Sequence, residues 1–387
     1  MRDARSASVV PPSLDGMLRT LAVENYRSLE HLVVPLERLT VVTGANGSGK
    51  SNLYRALRLL AGIVREGALS ALAAEGGLRS ALFADDRPRR DPIAMRFGFA
   101  ADELSYAIDL GMPQPGVSPF PQDPEVKTEV VWTGETRRPS TIAADRSSLR
   151  VRLRGASGSL ETAPWRVRET ESMLATLADP DTAPELFALR ERARGWRFYD
   201  ALRTDVDAPA RRPGPATFTP VLSGDGANLP GALATVLRVG QAERLQNAVG
   251  AAFDGAEAVV EDDDRGIARV GLRQPGVHRS VEAAELSDGT LRFLLLATAL
   301  LSPRPPGLLV LNEPEASLHP GLLPALAALI ADAAEHSQIV VVSHAEGLVR
   351  GLRADGGVIE LVKPGIATSV VGLLPFEGPA WSWPGRG

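Results

Sequence analysis

The stretch TGANGSGKSN, from Thr43 to Asn52, decides the fold of this chain. It contains the spacing G-x-x-x-x-G-K-S, which is typical of a loop that holds a nucleoside triphosphate by its phosphates. Lys50 is expected to reach the β- and γ-phosphates, and Ser51 is expected to bind Mg²⁺. The glycines let the backbone curl so that several N–H groups converge on phosphate oxygens. The residues predicted to form this phosphate-binding loop are Gly44, Ala45, Asn46, Gly47, Ser48, Gly49, Lys50, Ser51 and Asn52.

The residues on either side of the loop supply the context that the motif requires. Before it, RTLAVENYRSLEHLVVPLERLTVVTG alternates short apolar runs with polar breaks, which predicts two or three strands ending at Thr43. After it, KSNLYRALRLLAGIV places Leu53, Ala56, Leu57 and Leu60 at helical spacing. A strand, a Gly-rich loop and a helix in this order direct the positive end of the helix at the bound anion. A chance Gly-rich turn is therefore a poor alternative.

Composition limits the class of protein. The chain has 387 residues, a net charge of −5 and no cysteine. This length suits two lobes better than one compact unit, and the lack of cysteine excludes disulfides and thiolate metal sites. No apolar run approaches the ~20 residues that span a bilayer, and residues 1–16 lack the apolar core of a secretory signal. We therefore expect a cytoplasmic protein without a membrane partner.

The rest of the chain divides into three parts. Segments IAMRFGFA, LSYAIDLG, TEVVWTG and LRVRLRG, which lie between residues 91 and 154, are typical of antiparallel strands. Between residues 156 and 280, PELFALRERARGWRFYDALR and LPGALATVLRVGQAERLQNAVGAAF are predicted to be helical, and AEAVVED and IARVGLR to be strands. The last third returns to helices alternating with buried strands, which is typical of a parallel sheet.

The segment LLVLNEPEASLHP ends a buried apolar strand in two polar residues, where P-loop proteins hold Mg²⁺ and position the attacking water. Glu313 stands where a general base belongs. Asn312 stands at the metal position, where an aspartate is usual. An amide can hydrogen-bond a metal-bound water but brings no charge, so Mg²⁺ affinity and hydrolysis are expected to be reduced. The alternative, a strand end followed by a turn at Pro314, leaves two carboxylates unexplained.

Two further motifs lie near this segment, one before it and one after it in the sequence. ELSDGTLRFLL opens an apolar helix with Ser287, Asp288 and Gly289, which presents N–H groups and a hydroxyl as a second phosphate site. The alternative is a helix cap formed by Ser287 or Asp288, but the position just before the LNEP strand favours the phosphate site. In VVVSHAEG, His344 follows a buried strand. A lone histidine is more often structural, yet this one completes an ordered set.

In this order, the P-loop, LSDGT, LNEPE and SH resemble the motifs of the ABC-type ATPase family. The EPExxLHP form, the ENYRSL run before the loop and GKSNL within it are similar to the RecF, SMC and OLD-like branch, which includes bacterial AAA-type ATPases. The resemblance covers residues up to about Arg154 and from about Glu285 to Pro375. It implies an α/β P-loop NTPase: a two-lobed, ABC-ATPase-like head with a mixed sheet, an antiparallel β subdomain and an inserted, mainly helical region.

The expected domain bounds follow from the motifs and the change in composition. They are a disordered lead-in at 1–16, lobe I with the P-loop at 17–155, the inserted region at 156–280, lobe II with LSDGT at 281–375 and a tail at 376–387.

The resemblance also implies a role for each motif. In such proteins two heads hold ATP between them, and the P-loop of one faces the signature LSDGT of the other, so ATP, Mg²⁺ and an ATP-dependent homodimer are expected. Ser287 and Gly289 would reach the γ-phosphate held by the partner head. Glu313 would activate water, and His344 would contact the γ-phosphate as a sensor.

Three other positions are compared with the same branch. Arg27 matches a basic residue that this branch places near the nucleotide. His319 falls where many members have an aspartate in the loop that crosses the dimer interface. The usual metal-contacting glutamine has no counterpart, since no Gln lies between the P-loop and Gln114.

Two functional hypotheses remain open. The first is a dimerising ATPase in DNA maintenance or phage defence, acting on DNA or with a separate effector protein, since no nuclease or topoisomerase-like module is visible. The second is an ATP-gated scaffold that hydrolyses ATP weakly and sequesters an effector, which Asn312 favours. The missing glutamine and the EPExxLHP form argue against a third, a transporter motor. Arg-rich pieces such as RSSLRVRLRG would suit DNA, but a solvated charged surface explains them equally well.

Overall fold

The computed structural model describes residues 16–84, 93–113, 119–155, 157–164, 166–239, 241–373 and 378–386. The strands in these ranges are β1 Leu18–Tyr26, β2 Leu29–Pro35, β3 Leu39–Gly44, β4 Met95–Ala101, β5 Leu104–Gly111, β6 Glu125–Thr133, β7 Ile142–Ser147, β8 Arg150–Arg154, β9 Leu160–Thr162, β10 Arg197–Tyr199, β11 Gly214–Pro215, β12 Glu257–Asp262, β13 Ile267–Arg273, β14 Val281–Glu282, β15 Leu308–Asn312, β16 Gln338–Val342, β17 Gly357–Val362 and β18 Ser369–Val370. The helices are α1 Lys50–Glu66, α2 Ala68–Ala74, α3 Leu78–Ala81, α4 Met173–Leu177, α5 Pro184–Gly195, α6 Leu229–Val239, α7 Ala242–Ala252, α8 Asp288–Leu300, α9 Leu323–Ala333 and α10 Glu346–Leu352.

The chain folds as two compact units that do not follow the order of the sequence. The P-loop unit contains the described residues up to Trp196 and those from Gly357 onward. The signature unit is Arg197–Gly356 and contains LSDGT. The segment 156–280, expected as one inserted region, is divided between the units after Trp196. The expected lead-in at 1–16 lies outside the described residues except for Gly16.

An antiparallel sheet forms much of the P-loop unit. Its strand order is β2-β1-β4-β5-β6-β7-β8-β9, so the antiparallel strands expected between residues 91 and 154 are confirmed. All eight residues of β5 are buried, which requires a cover on both faces of the sheet. The segment 378–386 supplies cover on one face, where Trp381 packs on Trp132 with ring centroids 5.9 Å apart.

Strands β3, β17 and β18 also belong to the P-loop unit, and the phosphate-binding loop follows β3. Strand β3 pairs in parallel with β17, with Val41 opposite Val358, and β18 pairs antiparallel to β17. The helix predicted after the loop is confirmed as α1, and its apolar positions Leu53, Ala56, Leu57 and Leu60 are all buried. Amphipathic spacing therefore gave the correct buried face of this helix.

The signature unit contains the parallel strands expected in the last third. Strand β15 pairs in parallel with β16 on one side and with β10 on the other. A smaller antiparallel sheet has the order β11-β13-β12, with β14 also on β13. Helices α6 and α7 and strands β12 and β13 confirm the predictions for 229–273.

The helix predicted to run from Pro184 to Arg203 is wrong in its second half. Helix α5 ends at Gly195, and Arg197–Tyr199 forms strand β10, with Arg197 opposite Leu309. The pairing partner lies more than a hundred residues away, so no local periodicity could reveal it. No helix in the described ranges is long and apolar enough to cross a membrane.

Candidate functional site

The loop between β3 and α1 has the backbone conformation that its glycines allow. Gly44, Gly47 and Gly49 have φ values of 145°, 79° and 105°. A Cβ on Gly49 would lie 2.1 Å from Thr368 Oγ1, and one on Gly44 would lie 2.2 Å from the carbonyl oxygen of Leu361. Close neighbours as well as backbone conformation therefore dictate glycine at both positions.

Lys50 is the first residue of α1, and its side chain curls back into the loop. Its Nζ donates hydrogen bonds to the carbonyl oxygens of Gly44 at 2.7 Å and Ala45 at 3.0 Å. Gly49 precedes the helix, and in the part of the chain that the structure describes no side chain caps its N-terminus and no acidic residue lies in its first turn. Asn52 N donates to Gly49 O at 3.0 Å, and the absence of a side-chain cap suits the N-terminus ahead of it to an anion, as a phosphate site requires.

A buried hydroxyl cluster braces the loop from behind. Thr368 Oγ1 lies 2.7 Å from Ser28 Oγ and donates to the carbonyl oxygen of Ser48 at 2.9 Å. Asn52 Nδ2 donates to Ser28 Oγ at 2.8 Å, so this predicted loop residue holds the loop in place. Ser28 and Thr368 were not predicted. Ser28 lies within the ENYRSL run, whereas nothing in the sequence around Thr368 indicates its contact.

Arg27, predicted to lie near the nucleotide, is held by two side chains of its own unit. It has a φ of 50° and donates to Glu75 Oε2 at 2.5 Å and to Tyr26 Oη at 3.2 Å. Tyr26 in turn donates to Glu75 Oε2 at 3.0 Å. Burial raises the pKa of Tyr26 to about 12. Arg27 is therefore ion-paired with Glu75 in this structure.

In the signature unit, strand β15 delivers Asn312 and Glu313 to the loop that follows it. Glu313 has a φ of 47°, an uncommon conformation for a residue other than glycine. Two hydrogen bonds hold its backbone: its N–H donates to Val342 O at 2.8 Å, and Arg292 donates to its carbonyl oxygen at 3.2 Å. The carboxylate is left about half-exposed, since 44 % of the Glu313 side chain is accessible.

The structure brings the predicted base and the predicted sensor together. His344 follows β16, and its Nδ1 lies 3.8 Å from Glu313 Oε1. The same nitrogen lies 3.5 Å from Glu315 Oε1, a carboxylate that was not predicted as a site residue. The second glutamate of the EPE triplet was the available signal.

The signature loop caps the N-terminus of α8. Ser287 Oγ accepts a hydrogen bond from Thr290 N at 3.2 Å, so the cap interpretation holds in the free chain. A Cβ on Gly289 would lie 2.6 Å from the carbonyl oxygen of Ser317, which explains the glycine. His319 caps its own short turn, since its Nδ1 accepts from Gly321 N at 3.1 Å.

Arg211 holds the segment that leads into the signature loop through several hydrogen bonds. It was not predicted as a site residue. Its guanidinium donates to the carbonyl oxygens of Ala283 at 2.9 Å and Leu286 at 2.7 Å, and to Asp288 Oδ1 at 2.7 Å. Its side chain is 9 % exposed. A Pro-rich segment gives no pattern from which this contact could be predicted.

The candidate Mg²⁺ ligands fit a cation that keeps most of its water. The described residues contain no group of three or more His, Asp or Glu side chains able to hold a metal. Mg²⁺ in phosphate sites usually takes only one or two protein ligands beside phosphates and water. Ser51 is exposed in the first turn of α1. Asn312 Oδ1 is buried and finds no hydrogen-bond partner among the described residues.

Comparison with known proteins identifies a family and two short relatives. Residues 39–350 match the family model described as "AAA domain, putative AbiEii toxin, Type IV TA system". The OLD nuclease of Thermus scotoductus is 46% identical over 48 residues, which are 12% of this chain and 9% of that protein. The Structural maintenance of chromosomes protein 1 of Caenorhabditis elegans is 45% identical over 49 residues, 12% of this chain and 4% of that protein. The chain thus matches less than a tenth of either relative.

Solved structures resemble this chain over almost its whole length. The SMC head bound to the C-winged helix domain of ScpA is 15% identical, covers 92% of this chain and 97% of its own, and has a TM-score of 0.51. The Pyrococcus furiosus Smc head bound to the C-terminal domain of ScpA is 13% identical, with coverages of 92% and 96% and a TM-score of 0.50. This similarity establishes the fold and confirms the predicted ABC-ATPase-like head.

Proposed function

We propose that this chain binds ATP with Mg²⁺, dimerises around the nucleotide and hydrolyses it. The premise is that the chain belongs to the family described as "AAA domain, putative AbiEii toxin, Type IV TA system" and has the fold of an SMC ATPase head. The observation that carries the proposal is the N-terminus of α1, which follows a loop of left-handed glycines and has no side-chain cap in the described chain. Such a terminus favours a polyphosphate.

In the P-loop unit, the residues from Gly44 to Asn52 hold the triphosphate in this proposal. Lys50 exchanges its two carbonyl acceptors for phosphate oxygens, which costs little because each ammonium hydrogen bond is replaced by one to a charged group. Ser51 is the residue of this unit that would hold Mg²⁺, and Asn312 is the proposed metal residue of the signature unit. The ion would neutralise charge on the phosphates. Arg27 leaves Glu75 to reach the nucleotide.

In the signature unit, Glu313 accepts a proton from the attacking water at its half-exposed carboxylate. His344 donates a hydrogen bond to the γ-phosphate from a position 3.8 Å from that carboxylate. Ser287, Asp288 and Gly289 serve a second head, where the N–H groups at the start of α8 meet the γ-phosphate in trans. Because ATP contacts both heads and its products do not, ATP biases their association.

The proposed setting is DNA maintenance or phage defence in the cytoplasm. The short similarities to an OLD nuclease and to an SMC protein support this, and the ScpA domains bound to the similar SMC heads support a separate protein partner. The proposal includes DNA as a second partner. The second candidate function is an ATP-gated scaffold with weak hydrolysis, favoured by the neutral Asn312 at the metal position.

The test is to measure mass in solution and phosphate release on one preparation, with and without ATP and Mg²⁺. Glu313→Gln is expected to abolish turnover while retaining the ATP-dependent dimer, because it removes the base and keeps the side-chain shape. Lys50→Ala is the control that is expected to lose both. Dimerisation of the wild type without turnover would favour the scaffold. An unchanged mass and no ATP binding would refute the proposed function.

A further inference from the structure

A buried carboxylate outside the predicted site joins the two loops that carry Glu313 and His344. The Glu315 side chain is 7 % exposed, and its Oε1 accepts three hydrogen bonds. The donors are Ser343 Oγ at 2.6 Å, His344 N at 3.0 Å and Ala345 N at 3.2 Å. Its Oε2 is buried and has no hydrogen-bond partner within the described ranges. Three consecutive residues of the loop after β16 therefore donate to the same carboxylate oxygen.

This contact works together with the backbone of Glu313. The Glu313 N–H donates to Val342 O, and Glu315 accepts from the three residues that follow Val342. The turn after β15 and the loop after β16 are thus tied together on both sides of His344. Arg292 fixes the turn from α8 through the carbonyl oxygen of Glu313. The 3.8 Å separation of His344 Nδ1 and Glu313 Oε1 depends on these ties.

A carboxylate is a costly choice for this position unless its hydrogen bonds matter. Burying an ionised group is unfavourable unless donors compensate it, and here one oxygen is left uncompensated. Hydrogen bonds to a charged acceptor are roughly twice as strong as neutral ones, so Oε1 holds the two N–H groups more tightly than an amide oxygen would. A glutamate at this position therefore holds the loop from Ser343 to Ala345 in place, although burying its carboxylate is unfavourable.

We propose that Glu315 is a positioning residue of the ATPase site: it fixes the backbone of His344 so that the imidazole stays beside the Glu313 carboxylate. This assignment rests on the proposed function, because it acts through the proposed sensor and base. Glu315 itself touches neither nucleotide nor water in this role. Its removal lets the loop from Ser343 to Ala345 shift, while the P-loop residues keep their own contacts.

The first test is a double-mutant cycle on the rate of ATP hydrolysis. Glu315→Ala is expected to lower kcat about tenfold or more, since an ~1 Å shift of a catalytic group has effects of this size. The ATP concentration for half-maximal rate should change less than about twofold because the P-loop is intact. Glu315→Ala added to His344→Ala should cost no more than His344→Ala alone. Glu335→Ala, on an exposed glutamate of the same unit, is the control.

The second test separates positioning from general stability and does not need turnover. In NMR spectra of the full chain, Glu315→Ala should shift the amide resonances of His344 and Ala345. Glu315→Gln should shift them less, because its amide oxygen still accepts, and should recover part of kcat. It also serves as the test variant if Glu315→Ala does not fold. Ser343→Ala removes the hydroxyl that donates to Glu315 Oε1 and accepts from Ala345 N at 3.1 Å, so it should shift Ala345. It leaves the bond from His344 N to Glu315 in place and should shift His344 less than Glu315→Ala does.

Three results would overturn the assignment: a wild-type kcat for Glu315→Ala, additive losses in the cycle, or unshifted His344 and Ala345 resonances. If the wild type itself shows no turnover, the proposed hydrolysis fails, and the amide resonances alone then decide whether Glu315 fixes the loop.

Discussion

At the scale of single residues, Asn312 is the clearest difference between this chain and the ABC-type ATPase motifs, which usually have an aspartate there. Its amide oxygen is buried and finds no partner in the described chain, as expected of a ligand to a water or a cation. The amide carries no charge, and the nearby carboxylates of Glu313 and Glu315 contact His344. In the site proposed above, the charge of residue 312 is what separates an active ATPase from a weakly hydrolysing scaffold.

We predict that Asn312→Asp raises ATP turnover and lowers the Mg²⁺ concentration for half-maximal rate, each by about tenfold, which corresponds to about 1.4 kcal/mol. A carboxylate attracts the cation where an amide offers only a dipole. Phosphate release measured across a Mg²⁺ series checks this, with Asn312→Ala as the neutral control. An unchanged Mg²⁺ dependence in the aspartate variant would show that residue 312 is not at the metal.

At the scale of elements, a buried polar cluster joins the antiparallel sheet to α4. Glu129 on β6 accepts from Tyr106 Oη at 2.8 Å, Ser172 Oγ at 2.5 Å and Met173 N at 2.8 Å. Arg146 on β7 is fully buried beside it, with its guanidinium 3.6 Å from Glu129. Burial lowers the pKa of Arg146 and raises the pKa of Tyr106. Arg146 also donates to the backbone carbonyl oxygens of Ser148, Arg168 and Glu171, and Glu129 supplies a counter-charge beside it.

Glu129→Ala is accordingly predicted to reduce the free energy of unfolding by about 3–5 kcal/mol, because it leaves Arg146 buried without its counter-charge. Urea unfolding followed by tryptophan fluorescence measures this. Arg152→Ala breaks a pair with Asp145 in the same sheet, but Arg152 is 49 % exposed, so its cost should stay below about 1 kcal/mol. Equal losses for the two variants would contradict the buried-pair account.

At the scale of the whole molecule, the predicted phosphate-binding motifs belong to different units of the fold. The P-loop lies in the P-loop unit, and LSDGT, LNEPE and His344 lie in the signature unit. If ATP is shared between two heads, each site needs the P-loop of one chain and the signature of the other. Two inactive variants with defects in different motifs should then repair one site when mixed.

We predict that Lys50→Ala and Ser287→Arg, each inactive alone, recover ATPase activity when mixed in equal amounts, up to about a quarter of the wild-type rate. That limit applies when ATP at the one intact site of a mixed dimer holds the pair together, because random pairing makes half of the dimers mixed and leaves each with one of two sites intact. Ser287 is exposed, so the larger side chain blocks the site without disturbing the core. Phosphate release from the mixture, compared with each variant alone, is the measurement. No recovery would argue against sites shared in trans.

The fold class was predicted correctly from the sequence, which also supplied the candidate residues of the proposed site. The spacing of glycines, Lys50 and Ser51 permits few backbone conformations, and amphipathic periodicity located α1 and its buried face. The order of the motifs identified the remaining loops, and Glu313 and His344 indeed lie together. The loop conformation and α1 are encoded locally, by conformational preference and by burial pattern, whereas the pairing of Glu313 with His344 was implied by the family resemblance.

Only the tertiary structure decided which side chains hold those loops. Thr368 meets Ser28 across 340 positions of sequence, and Arg211 reaches Asp288 across 77. Strand β10 formed where a helix was predicted, because β15 pairs with it. Glu315 looked like a second acidic residue in a turn until its three donors were located. Contacts between distant segments leave no local pattern, since they arise from where the chain returns in space.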